Sequence, residues 1–254
     1  MKKYNKRQEF ILKEVDKQGY ISVNDLGDLL NVSVVTIRKD LSFLEDEGLL
    51  YRTHGGASKQ IRYAYERNVT EKENLQVQQK QNIAQKSLKL IESQDFIILA
   101  SGTTIHYLAR IIKNFDKLTV LTSSLRVSLE LSKDPMIDII QLGGSVRKSS
   151  TSIVGSIADK MLEDFSCNKL FLGVDGIDFD FGLSTSNAQE ANLNKLMIDA
   201  SDKVIVLADS SKMNKRGFGK ICEINKMDVL ITDNGIEPKD LKKLESMGIQ
   251  VIIA

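Results

Sequence analysis

The chain has 254 residues, 42% hydrophobic and 27% charged, with a formal net charge of +1. That length exceeds one small DNA-binding module and allows a second domain with its own core, while a near-neutral charge excludes a globally basic polyanion binder. Apolar runs are too short for a membrane span and residues 1–7 lack the apolar core of a signal peptide, so a cytoplasmic protein without membrane association is expected. The two cysteines, Cys167 and Cys222, and the two histidines, His54 and His106, are too few and scattered for a disulfide scaffold or a zinc cluster. Neither a metal nor a cofactor is expected.

Three short helical patterns open the chain. The first is predicted over residues 4–17 and ends at Gly19. The second follows Ser22, an N-cap residue with Asp25 three positions on, and should turn Leu26, Leu29 and Leu30 inward. The third starts after Ser33 and stops at Gly48, so only Asn31, Val32 and Ser33 separate it from the second, the short turn of a helix-turn-helix. On this third helix Val34, Ile37, Leu41 and Leu44 share one face, while Val35, Arg38, Lys39 and Ser42 point away with Thr36 beside them.

The start of such a helix reads base edges in the major groove. Arg38 suits a guanine or a phosphate, and Lys39 acts as a point charge. The acidic end, Glu45-Asp46-Glu47, is repelled by phosphates, so the helix should enter tip first. Arg52 and His54 follow beside a Gly55-Gly56 turn, in the manner of a wing. A charged helix face alone is usually a solvated one. Cap, short turn, basic face and basic wing together point to double-stranded DNA, with Ser33, Val35, Thr36, Arg38, Lys39, Ser42, Arg52 and His54 as candidate contacts.

Residues 58–78 are polar and charged and read as a partly helical linker. The expected domains are therefore 1–57 (DNA-binding), 58–78 (linker) and 79–254. In the last, apolar, β-branched-rich runs at 96–100, 118–122, 137–142, 169–174, 203–208, 228–232 and 249–253 alternate with amphipathic stretches such as 105–113, 125–133 and 188–200. This alternation predicts a mostly parallel sheet covered on both faces.

Predicted strands run into small polar residues: Ser101-Gly102-Thr103-Thr104, Thr122-Ser123-Ser124, Gly143-Gly144-Ser145-Val146-Arg147, Gly173-Val174-Asp175-Gly176 and Ala208-Asp209-Ser210-Ser211-Lys212. Strand ends are where open α/β sheets bind ligands, and exposed helix N–H groups there suit a phosphate. One such loop is ordinary turn chemistry. Five of them, two with a cation, point to a pocket for an anion carrying hydroxyls. In it Arg147 and Lys212 take the anionic end and Asp175 accepts from sugar hydroxyls, while Gln189 and Glu190 either cover the site or simply begin a solvated helix. The candidate effector residues are Ser101, Gly102, Thr103, Thr104, Thr122, Ser123, Gly143, Gly144, Arg147, Asp175, Glu190 and Lys212.

The run Val32-Ser33, Thr36-Ile37-Arg38-Lys39-Asp40-Leu41, Leu44-Glu45, Gly48-Leu49 and Arg52-Thr53-His54-Gly55-Gly56-Ala57 resembles the DeoR family of bacterial transcription regulators. So do Ser-Gly-Thr-Thr, Leu-Gly-Gly-Ser-Val-Arg, Leu-Gly-Val-Asp-Gly-Ile-Asp, Leu-Ala-Asp-Ser-Ser-Lys and Ile-Thr-Asp further on, in order over nearly the whole chain. The family often has Arg at Lys39, a polar residue at Val34 and an acidic residue at Asn187. The resemblance implies an α/β protein: an N-terminal winged helix-turn-helix joined to a mostly parallel α/β sensor domain resembling ribose-5-phosphate isomerase. It further implies a repressor of a sugar-metabolism operon, controlled by a phosphorylated sugar. One winged helix makes few base contacts, so a homo-oligomer, dimer or tetramer, is expected. The alternative is a sugar-phosphate isomerase carrying a DNA-binding domain, with Asp175 and Asp178 in acid–base roles.

Overall fold

A computed structural model describes residues 4–47, 49–53, 55–59 and 68–254, the side chains of Thr53 and Lys59 excepted. The chain divides into two compact units, Met1–Arg62 and Tyr63–Ala254.

The first unit contains α1 (Lys6–Gln18), β1 (Tyr20–Ser22), α2 (Val23–Leu30), α3 (Val34–Asp46), β2 (Leu50–Thr53) and β3 (Gly56–Lys59). Its helices begin where side chains satisfy free backbone donors. Asn5 and Gln8 form a reciprocal capping box on α1, Ser22 accepts from Asp25 N at 3.0 Å, and Ser33 accepts from Thr36 N at 3.3 Å. Ile37, Leu41 and Leu44 of α3 are fully buried against Ile11, Val15 and Leu26, and Val34 packs at the margin. Leu29 departs from expectation and is 57% exposed. The buried stripe of α2 is Val23, Leu26 and Gly27 with Leu30 at its edge, and Leu29 lies a helical step outside it. The strands pair in the order β1-β3-β2. A Cβ on Gly56 would stand 2.2 Å from Ile21 O, so only glycine lets β3 lie against β1. The expected stop at Gly48 lies outside the described residues.

The second unit begins with α4 (Val69–Glu73), α5 (Val77–Leu88), β4 (Phe96–Leu99), α6 (Thr103–Ile111), β5 (Leu118–Thr122), α7 (Leu125–Leu131) and β6 (Ile137–Gln141). Next come β7 (Ser145–Arg147), β8 (Ser152–Val154), α8 (Ser156–Leu162), β9 (Lys169–Gly173), β10 (Gly176–Asp178), β11 (Gly182–Thr185) and α9 (Ala188–Asp199). It ends with β12 (Val204–Leu207), β13 (Gly219–Cys222), β14 (Val229–Thr232), α10 (Pro238–Ser246) and β15 (Gln250–Ile253).

The seven apolar runs all become strands of one sheet, in the order β15-β14-β12-β9-β4-β5-β6, and every pairing in it is parallel. Alternate residues face opposite sides, so the runs had to be apolar throughout. Ile98, Leu170, Leu172, Val206 and Leu230 pack with α8, α9 and α10, while Ile97, Leu99, Phe171, Ile205 and Ile231 pack with α5, α6 and α7. Two antiparallel additions were not foreseen, the β7–β8 hairpin and the small sheet β10-β11-β13. Residues 69–78, read as a partly helical linker, hold α4 and the first two residues of α5. No described helix is long and apolar enough to cross a membrane.

Candidate functional site

The first unit presents the outer face of α3. Val35 is 62% exposed, Arg38 and Lys39 are exposed, and Thr36 and Ser42 are half-buried. Ser33 and Thr36 share a hydroxyl contact of 3.0 Å at the helix tip, so two of the candidate contact residues also form the cap. Arg52 on β2 donates to Ser42 Oγ at 3.1 Å, and its backbone N–H donates to Glu45 Oε1 at 3.3 Å. β2 is thus tied to α3, which holds Arg52 beside that helix. His54 lies outside the described residues. Asp40, which sequence reasoning passed over, is buried on the inner side of α3, accepting from Arg7 Nε and, at 3.1 Å, from Gln8 Nε2. This pair sets the rotation of α3 and hence which residues face outward.

In the second unit the chain leaves β4 toward β5 and β6, then returns and leaves β9 toward β12, β14 and β15. The order reverses between β4 and β9, and the strand ends at such a switch point are where open α/β sheets bind ligands. Gly102, with φ +129°, turns the chain from β4 into α6. Thr103 and Thr104 open that helix and are buried.

Asp175 lies just past β9, at this switch point. Lys72 Nζ donates to its Oδ1 at 2.6 Å, and Thr185 Oγ1 and Ser186 N donate to its Oδ2 at 3.2 and 3.1 Å. Burial pushes the Asp175 carboxyl up, but the charges of Lys72 and Lys212 and the hydrogen bonds outweigh it and hold it well below the usual carboxylate range. Lys212 sits in the single helical turn Ser210–Lys212 that Asp209 caps by accepting from Ser211 N at 3.1 Å.

A third cation completes the group. Lys80 lies on the buried face of α5 with Ile83, Ala84 and Ser87, and donates to Leu75 O at 2.6 Å and to Lys72 O. Burial lowers its ammonium to about 8; Asp209 and Glu73 raise it again, while Lys212 and Lys72 lower it further. Lys72, Lys80 and Lys212 act on one another and on Asp175 and Asp209, and with Glu73 already engaged by Arg126 and Arg110 the lysines outnumber the remaining carboxylates. Such an arrangement is relieved by an incoming anion.

Sequence reasoning missed Lys72 and Lys80, and only Lys80 left a signal: a lysine in the apolar stripe of a helix. Lys72 lies on α4, which is held to the strand-end loops and to α6 and α7. Val69 N donates to Ser149 O at 2.8 Å, and Glu73 accepts from Arg126 at 2.7 Å and Arg110 at 3.4 Å. Burial lowers the neighbouring His106 to about 4, with Arg126 and Arg110 adding to the shift, so it is neutral near pH 7.

Arg147 and Glu190 form a second polar group. Arg147 pairs with Glu190 Oε1 at 3.1 Å, Ser152 Oγ donates to the same oxygen at 3.0 Å, and Arg147 donates to Ser150 Oγ at 3.0 Å. Asn187 caps α9 by accepting from Gln189 N and Glu190 N, which fixes Glu190 in the first turn. Ser186, bonded to Asp175, lies four residues before Glu190, so one short segment serves both groups. The other candidates hold loops. Thr122 donates to Leu99 O at 2.6 Å, Ser123 O accepts from Ile153 N at 2.8 Å, and Gly143 and Gly144 lie against Met161 of α8 and Ile153 of β8. Asp178, cast as an acid–base group, is held by Arg216 at 2.8 Å and by the N–H groups of Asp180 and Phe181.

Comparison with known proteins places both units. Residues 7–60 match the DeoR-like helix-turn-helix domain and residues 75–234 the DeoR C terminal sensor domain. The chain is 39% identical over 245 residues to an uncharacterized HTH-type transcriptional regulator, YulB, of Bacillus subtilis (strain 168), covering 96% of this chain and 95% of that one. It is 36% identical over 230 residues to the lactose phosphotransferase system repressor of Streptococcus mutans serotype c, covering 89% and 91%. Among solved structures, the full-length sorbitol operon regulator SorC of Klebsiella pneumoniae aligns over 95% of this chain and 99% of its own at 11% identity and a TM-score of 0.43. Ribose 5-phosphate isomerase from Plasmodium falciparum aligns over 53% of this chain and 52% of its own, at 19% identity and a TM-score of 0.39. Two family models in chain order and relatives matched end to end make the chain a member of the DeoR family of transcription regulators.

Proposed function

We propose that this protein is a cytoplasmic, homo-oligomeric repressor of a carbohydrate operon, released from its operator by a phosphorylated sugar bound in the crevice between β4 and β9. The observation that carries the effector reading is the cluster of Lys72, Lys80 and Lys212 around Asp175. A phosphate carries close to two negative charges at pH 7 and answers the excess cations. Asp175, relieved of Lys72, then accepts from sugar hydroxyls. Drawing Lys72 away from Asp175 shifts α4, the first described helix after the DNA-reading unit in sequence. For this to switch binding, the sugar phosphate must favour one arrangement of α4 over the other.

A sensor fits the crevice better than an isomerase. A general base works best with its pKa near the working pH. Asp175 is held far below that by its lysines, and Asp178 is held below the usual range, burial being outweighed by Arg216 and backbone N–H groups. Phosphorylated and unphosphorylated sugars compared by thermal shift, with hits added to a gel shift on the protein's own upstream DNA, test the reading. A phosphorylated sugar should raise the melting temperature and release the DNA. Failure of every sugar phosphate in both assays, or turnover of one, overturns it.

Lys80 gives this binding a pH dependence. The phosphate is already dianionic above about pH 7, so the ligand's own titration does not contribute. Below about pH 8 the free protein carries the Lys80 proton before the anion arrives; above it, binding must take up a proton. Affinity should therefore fall as pH rises past that value, approaching about tenfold per unit. Calorimetric titration should show this slope in the wild type and its loss in Lys80→Arg. A slope retained in that variant removes Lys80 from the binding event.

A further inference from the structure

We infer that Glu190 makes the release of α4 depend on the sugar part of the effector, so that a phosphate alone binds without freeing the DNA. This rests on the effector reading above and adds to it the residue that tells a sugar phosphate from a bare anion.

Glu190 is buried in the first turn of α9, 7% exposed, and its two oxygens differ in their surroundings. Oε1 takes both protein partners, Arg147 at 3.1 Å and Ser152 Oγ at 3.0 Å. Oε2 accepts no hydrogen bond among the described residues. A buried carboxylate oxygen without a donor bears a desolvation cost that an incoming O–H removes. Arg147 already answers the charge of Glu190, so this position suits a neutral hydroxyl and not a second anion. Ser186, whose N–H donates to Asp175, lies four positions before Glu190. Four residues span about 14 Å at most, and the first turn of α9 shortens that. A single sugar phosphate therefore addresses both carboxylates.

The same carboxylate organises a turn that grips α4. Ser152 Oγ gives its proton to Glu190, so Ser150 Oγ donates to Ser152 Oγ at 2.8 Å, and Arg147 donates to Ser150 Oγ at 3.0 Å. These bonds run one way, from Arg147 through Ser150 and Ser152 to Glu190, and bonds in such a chain strengthen one another. They close around residues 148–151, the turn between β7 and β8, where Thr151 stands at φ +53°. That is a strained conformation for a β-branched residue, so the turn keeps its shape through its contacts. Within it Ser149 O accepts from Val69 N, the first residue of α4, at 2.8 Å.

Two fastenings of α4 thus end on effector carboxylates: Lys72 on Asp175, and Val69, through the turn, on Glu190. A phosphate at the lysines loosens the first. Only a hydroxyl donor at Glu190, competing with Arg147 and Ser152 for the carboxylate, loosens the second.

The full-length protein tests this with inorganic phosphate and a panel of pentose 5-phosphates and hexose 6-phosphates. Affinity is read by calorimetry, and release from the protein's own upstream DNA by gel shift at constant ionic strength. In the wild type, saturating inorganic phosphate should leave the DNA bound, while a sugar phosphate of the panel binds more tightly and releases it. In Glu190→Gln the affinity advantage of that sugar phosphate over inorganic phosphate should shrink by about 10- to 100-fold, the worth of a hydrogen bond to a charged group. Ser152→Ala, which keeps both charges, should retain the advantage yet let inorganic phosphate alone release the DNA. An unchanged advantage in Glu190→Gln, or DNA held by Ser152→Ala at saturating inorganic phosphate, overturns the inference and leaves the effector reading standing. A wild type that binds neither inorganic phosphate nor any sugar phosphate overturns both.

Discussion

Lys212→Ala is expected to leave operator affinity unchanged while weakening the phosphorylated effector by about 30- to 150-fold, which corresponds to about 2–3 kcal/mol. Lys212 is half-buried at the crevice and acts on both Asp175 and Lys80. An anion that loses this partner keeps its desolvation penalty without the compensating charge. The variant should stay bound to its operator in the presence of sugar phosphate. Calorimetry for the ligand and a gel shift for the DNA separate the two affinities, and an unchanged ligand affinity would place the anion elsewhere. Lys72→Ala is a harsher change. It also strips Asp175 of its closest charge, so a lower melting temperature should accompany the lost response.

Arg38→Ala is expected to do the converse. Arg38 stands exposed on the outer face of α3, one turn from the cap at Ser33, with the helix's rotation fixed from behind by Arg7 and Asp40. If it reads a base, specific operator binding falls by about 1–3 kcal/mol while binding to unrelated DNA changes little. If it holds a phosphate instead, affinity drops for all sequences alike, and the slope of log K against log salt becomes shallower by about one. Competition gel shifts at several salt concentrations distinguish these outcomes. Effector affinity should be unaltered in either, and operator affinity equal to wild type would reverse the assigned outward face of α3.

Local chemistry made much of this molecule legible before any coordinates. Ser22 and Ser33 announce their helices because each needs only a side-chain oxygen that accepts from the backbone N–H three residues on, an interaction complete within one turn. The seven strands are legible because a strand covered on both faces must be apolar at every position. Asp175 and Lys212 could be singled out because both follow strand ends, where open α/β sheets bind ligands, and the structure shows Lys212 acting on Asp175. Leu29 was misjudged because the width of a buried stripe depends on what packs against it, and α2 is short.

The sequence by itself therefore determined the two-part architecture, the outward face of α3, and the polar loops of the sensor. Each follows from caps, periodicity and turn chemistry that act over a few residues. Only the tertiary structure decided which of those polar loops share a charge cluster. Lys72 and Asp175 are more than a hundred positions apart, and Lys80 reaches the same cluster from a helix whose pattern otherwise speaks only of burial. It also assigned Arg147 to Glu190 and left β6 at an open edge, because strand order and ion pairing depend on long-range packing that no local pattern encodes.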